Sequence, residues 1–211
     1  DQQALSSYVW LQQAFLALFA SWQWEGELFD SITSGNVAYE LCRPISIYNM
    51  WFARSMAHRL SRAVLRCFPI LIVAAFLPSP YGVGLPKDAV AALCFAVAMV
   101  LGLLLVCAFG MLVYMSAFYT ISPAGIRMVA SNLSEFLCGS IIPLPFLPDA
   151  AQTVLSLLPF ASMNNAPLRI YGGDIVGSDA FRTIGLQLIW IVIFVAVGKW
   201  MEQNIKKKIV V

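Results

Sequence analysis

Arg54, His58, Arg62 and Arg66 stand four residues apart. On an α-helix each such step turns about 40° beyond a full circle, so the four side chains form one basic stripe. Beside the apolar Ile47, Met50, Trp51, Ala57 and Leu60, that stripe can answer anionic lipid headgroups or dock a cytoplasmic protein. His58 is the only histidine, and it reads as part of the stripe rather than as a ligand or a base. Glu135 is the one acidic residue deep within a predicted span. An intramembrane carboxylate is costly, and it faces a pathway, a substrate or a hydrogen-bonding partner. If the span ends earlier than expected, Glu135 simply touches water.

Other chemistry is excluded by residue type. The lysines are Lys87, Lys199, Lys206, Lys207 and Lys208, and none sits in the Gly-rich loop that cradles ATP phosphates. One histidine cannot make a two-His metalloprotease motif, and there is no GxSxG. Cys42, Cys67, Cys94, Cys107 and Cys138 are scattered without a CxxC pair, so they read as small packing residues. Asn132-Leu133-Ser134 matches a glycosylation sequon but falls inside a span. The net charge of +2 gives no footprint for nucleic acid. No cofactor or metal is expected on this chain. A lipid-modifying enzyme would have to use Glu135 or Asp174 as a base, with Arg169 on a headgroup. An ion-coupled carrier using Glu135 should show more polar groups at mid-bilayer, or paired broken spans.

The elements that must position these residues are membrane helices. Hydrophobic residues make up 60% of the 211-residue chain, charged residues only 11%, and the mean hydropathy is +0.79. A soluble domain would carry about a quarter charged residues. Five spans are predicted, at about Ser6–Trp24, Val64–Leu77, Ala89–Phe118, Ile126–Ile142 and Ile184–Trp200. The second is short and holds Pro69, so it must extend back through the basic helix. Ten of the 13 Lys and Arg fall in alternate loops and the C-terminal tail, which makes that side cytoplasmic. Asp1 then lies outside, and the expectation is a six-span protein seen without its first helix. The chain reads as one all-α, polytopic transmembrane domain over 1–211, with a cytoplasmic region at 25–63 and an outer region at 143–183.

In the cytoplasmic region Gly35 breaks the chain, Val37–Cys42 can form a short helix, and Pro44 disfavours helix at Arg43. Ser46 is a candidate N-cap for the basic helix. In the outer region Pro143, Pro145 and Pro148 end the fourth span. Asp149 is expected to cap a short helix that ends before Pro159 and lies in the interface or dips back as a re-entrant element. A polar, Gly-rich link through Asn164, Asn165, Gly172, Gly173 and Asp174 is expected to lead to the last span.

The order of these features resembles the permeases of ABC-2 type export systems. The resemblance is carried by Gly35, Leu41, Arg43 and Pro44 before an Arg-bearing helix. It is carried also by Glu135-Phe136-Leu137-Cys138-Gly139 with Pro143, Pro145 and Pro148, then Leu158-Pro159-Phe160. The chain is most similar to small ABC-2 permeases linked to drug or viologen export. The resemblance implies a type V exporter-like fold in which six helices form one half-transporter. Two halves, identical or related, would pair in the cell membrane, with the C-terminus cytoplasmic. Each half would rest on a separate cytoplasmic ATPase subunit that holds ATP and Mg, so this chain itself would not be an enzyme. By that resemblance Gly35, Leu41, Arg43, Pro44, Arg54 and Arg62 would couple to the ATPase. Glu135, Gly139, Pro143, Pro145 and Pro148 would lie on the translocation path or its outer gate. The spans suit a lipophilic or amphipathic cargo.

Overall fold

The computed structural model describes residues 2–84, 86, 88–120, 122–138, 148 and 154–209. Every regular element among them is helical: α1 Gln2–Phe19, α2 Gly26–Thr33, α3 Val37–Leu41, α4 Ile47–Phe76, α5 Ala89–Ala117, α6 Pro123–Leu137, α7 Pro159–Gly172 and α8 Ser178–Ile209. Local chemistry sets several boundaries. Ser46 Oγ accepts the Asn49 N–H at 3.3 Å and so starts α4, as its residue type suggests. Pro123 and Pro159 occupy the first turns of α6 and α7, where a missing N–H costs nothing. Gly173, with φ of 80°, ends α7 in the left-handed conformation that favours glycine.

α5 is the axis of the bundle. It carries no charged side chain and is apolar all round, the pattern of a helix enclosed by others. All three buried clusters run along it, through Cys94 and Ala98, then Met99 to Cys107, then Met111 to Ala117. Trp51 at the start of α4, Tyr114 late in α5 and Ile205 late in α8 share one end. At the other end Ser7 of α1 bonds Gly84, Tyr171 of α7 bonds Gly84, and Ala180 of α8 packs by Cys94. So α1, α5 and α8 run parallel, and α4 runs against them. The basic residues of α4 and of the C-terminal tail therefore lie at the same end, as the alternation of charged loops requires.

α5 and α8 are each long and apolar enough to cross a bilayer. At 1.5 Å per residue their 29 and 32 residues exceed a hydrocarbon core of about 30 Å. The other three expected spans do not meet that measure alone. α1 has 18 residues, α6 has 15, and the 30 residues of α4 carry the basic stripe in one half. α4 does extend back through the basic helix as one element with Pro69 inside it. Its apolar half is broadly exposed, with Leu65 78% and Phe76 85% accessible, as a lipid-facing surface would be.

The outer region departs from expectation. Asn164 and Asn165 do not lie in a polar link: they are part of α7. A helical turn does end before Pro159, as expected, but Pro159 itself opens a further helix, α7. Asp149 lies outside the described residues, and 154–157 form a single helical turn. α7 is enclosed by α1, α5 and α8, burying Met163, Ala166, Pro167, Leu168 and Ile170. Its N-terminal end reaches the middle of α5, where Phe160 packs edge-on against Phe109. A helix with its polar backbone so deep must be satisfied by protein.

Candidate coupling surface and pathway

The α2–α3 segment is clamped to the basic end of the bundle by side chains of α4, α5 and the elbow before α2. Leu28 and Phe29 of α2 are buried, with Phe29 packed on Trp24 and Tyr114. Trp51 of α4 is completely buried, stacked on Phe118, and its Nε1–H donates to Glu40 Oε2 of α3 at 2.7 Å. The Glu25 N–H donates to the Tyr114 hydroxyl at 2.9 Å. Arg54 Nε pairs with Glu25 at 2.8 Å, and its Nη2 pairs with Glu27.

Two further charges tie α4 to its neighbours. Arg59 is 5% accessible and donates through Nη1 to the carbonyls of Ala20 at 2.7 Å and Leu18 at 3.4 Å. Its Nη2 donates to the Gln23 carbonyl at 3.4 Å. The Leu18 and Ala20 carbonyls lie at the end of α1, where the last carbonyls lack helical N–H partners, so a cation there both caps and neutralises that end. Glu202 of α8 is buried and accepts from Ser46 Oγ at 2.9 and 3.0 Å, from the Tyr48 N–H at 3.4 Å, and from Lys206 Nζ at 2.9 Å. A carboxylate suits the N-terminus of α4, where free N–H groups point outward.

The expected coupling residues divide into two groups. Gly35 sits in an exposed turn at φ 77°, and Arg43 and Pro44 are exposed in the bend that leads to Ser46. Leu41 is the last residue of α3. Tyr39, 77% accessible, and Ile45, 56%, add apolar surface to this segment. The stripe is instead knitted to α1, the elbow after it and the start of α2. Arg54 meets two glutamates, Arg62 reaches Gln23 Oε1 at 3.5 Å, and Arg66 Nε donates to the Gln13 carbonyl at 3.0 Å. His58 is half-buried among them. Sequence reasoning passes over Glu25, Glu27, Glu40, Arg59 and Glu202. Only Glu202 carries a local signal, standing four residues before Lys206.

The residues expected on the pathway are placed more sparsely. Glu135 lies on α6, half-buried, beside the buried Ser134. Gly139, Pro143 and Pro145 lie outside the described residues, and Pro148 is exposed. Gln187, fully buried on α8, has no signal in the sequence. Its Nε2 donates to Ser162 O at 2.8 Å and Ala98 O at 3.2 Å, joining α7, α5 and α8. Pro167 denies α7 one helical bond, to Met163 O. That carbonyl lies over Gly102, where a Cβ would stand 2.7 Å from it. Among the described residues, no three His, Cys, Asp or Glu come together as a metal site. Cys94 and Cys107 are buried in the core, and Cys42 is exposed.

A family model described as ABC-2 family transporter protein matches residues 3–206. This chain belongs to the ABC-2 transporter family. No curated protein and no solved structure matches it. As a member of that family it is a helical membrane component of a transporter. The match covers the clamped α2–α3 segment, the enclosed α7 and most of α8, so the basic end and the end opposite it both belong to the family's own domain.

Proposed function

We propose that this ABC-2 chain is the permease half of an exporter driven by a separate cytoplasmic ATPase, with the Gly35–Pro44 segment as the docking surface. The observation that carries this reading is the pair of connections from that segment into the bundle. Trp51–Glu40 and Arg54 with Glu25 and Glu27 fix α2 and α3 to α4. Ser46–Glu202 fixes the start of α4 to α8. A push on the segment is therefore carried to both helices at once.

ATP and Mg belong to the ATPase in this reading. Closure of two ATPase subunits would move two docked permease halves, identical or related, between states of different affinity for cargo. The cargo class is lipophilic or amphipathic. The basic end faces the cytoplasm, with the C-terminus on that side of the cell membrane. The outer regions, including Glu135, Gly139 and the prolines at 143, 145 and 148, form the exit. The chain completes five of six spans, with α1, α4 and α6 crossing as members of the bundle and not by apolarity alone.

The test is purification of the full-length protein in mild detergent with its partners identified and hydrolysis assayed. A nucleotide-binding subunit in equal amount, with ATP-dependent transport, supports the reading. A clean preparation without an ATPase and without ATP dependence overturns it, and leaves an ion-coupled carrier or a lipid-modifying enzyme built on Glu135.

A further inference from the structure

A cleft of about 650 Å³ opens at the basic end, between the elbow after α1 and the first turns of α6. Trp22, Trp24, Gly125, Arg127, Met128 and Ser131 line it. Its volume falls within the roughly 300–1,000 Å³ of small-molecule sites. The walls are fixed: Trp24 Nε1–H donates to Ser131 Oγ at 2.7 Å, and Arg127 stands over the Phe29 ring at 5.9 Å. A Cβ at Gly125 would meet nothing within 4 Å, so the floor is open.

The charge in this cleft is one-sided. No carboxylate lines it, and Arg127 makes no ion pair among the described residues, whereas Arg54 is paired. A guanidinium held by a ring face still offers its edge N–H groups, in the fork that matches phosphate. The two indoles are side chains that favour the headgroup level of a bilayer. From the cleft, α6 leads away from the basic end and exposes Val129, Leu133 and Phe136 at i, i+4 and i+7, an apolar track along one helix face.

We propose that this cleft binds the phosphate of an anionic phospholipid, with Arg127 on the phosphate, Trp22 and Trp24 beside the glycerol, and an acyl chain along Val129, Leu133 and Phe136. The proposal rests on the membrane character of the family and on the basic end lying in the cytoplasmic leaflet, where anionic lipids concentrate. It does not rest on ATPase docking, so either can fail alone.

The test is native mass spectrometry of the delipidated full chain, titrated with phosphatidylglycerol and with phosphatidylcholine. The wild type prefers phosphatidylglycerol. R127A loses about fivefold of that preference, the worth of one basic residue near a bilayer surface. The exposed K207A keeps most of it, R127K keeps only part because lysine retains the charge without the fork, and W22A weakens it. Equal binding of the two lipids by wild type overturns the proposal. So does an equal loss in K207A and R127A, which would mean bulk surface charge. Displacement by excess inorganic phosphate overturns the lipid assignment in favour of a soluble phosphate.

Discussion

Ser46 and Glu202 are 156 residues apart in sequence, and the Ser46 hydroxyl donates to both carboxylate oxygens of Glu202. The same hydroxyl accepts the Asn49 N–H, so one side chain begins α4 and fastens it to α8. Lys206 covers the other side of the carboxylate at 2.9 Å. Glu202→Ala leaves the Ser46 hydroxyl and Tyr48 N–H without their buried acceptor, a loss of about 1–3 kcal/mol. The expected result is a lower melting temperature in detergent. Ser46→Ala combined with Glu202→Ala should cost less than the two separate losses together, because both remove one interaction. Strict additivity would show that the two residues act independently.

Arg54 offers a charge-reversal test of the relay. Arg54→Glu sets a third carboxylate against Glu25 and Glu27 and should loosen α2 while the bundle still inserts. Co-purified ATPase and transport-stimulated hydrolysis are expected to fall several-fold. Reversing Glu27 as well, to Arg, restores one opposite-charge pair and should recover part of the loss. Arg43→Ala, at an exposed position in the bend before α4, should lower docking without changing melting temperature. Normal partner yield with normal hydrolysis in both single variants would remove the segment from the coupling path.

Gly102 faces α7 with no room to spare. A Cβ there would stand 2.7 Å from Met163 O and 2.9 Å from the Phe19 ring, the first a backbone atom that cannot swing aside. Gly102→Ala should therefore destabilise the packing of α7 by about 1–3 kcal/mol, as overpacked cores do. Gly125→Ala, with open space around it, should change little. Thermal unfolding of the two variants side by side checks the contrast.

Gln187→Leu keeps the approximate volume but strips two carbonyls of a buried donor. The expectation is a loss of about 1–3 kcal/mol, with faster hydrogen exchange where α7 and α5 meet α8. Glu135→Gln, by contrast, should alter transport with assembly intact, since the Cys138 thiol bonds its backbone carbonyl, which the substitution keeps. Unchanged transport of the true cargo would return Glu135 to a solvent-touching position on α6.

Composition alone determined that the chain is helical and belongs in a membrane, because so few charges and such long apolar runs have no other stable solution. Nearest-neighbour chemistry was also sufficient for Ser46 as a cap, Gly35 as a break, and the union of the basic helix with the Pro69 segment. The arginine stripe shows where local reasoning stops. Spacing by four says that Arg54, Arg62 and Arg66 share a face, but it cannot say that α1 and its elbow lie against that face. Pro159 stands between the turn at 154–157 and α7; a proline fits either side of a helix boundary, and only the burial within residues 161–170 shows that a second helix begins there. Arg59 on the carbonyl end of α1, Glu202 on the start of α4 and Gln187 across three helices join residues far apart in sequence. Such pairings depend on which helices run parallel and at what height they meet, and that is fixed only when the bundle packs around α5.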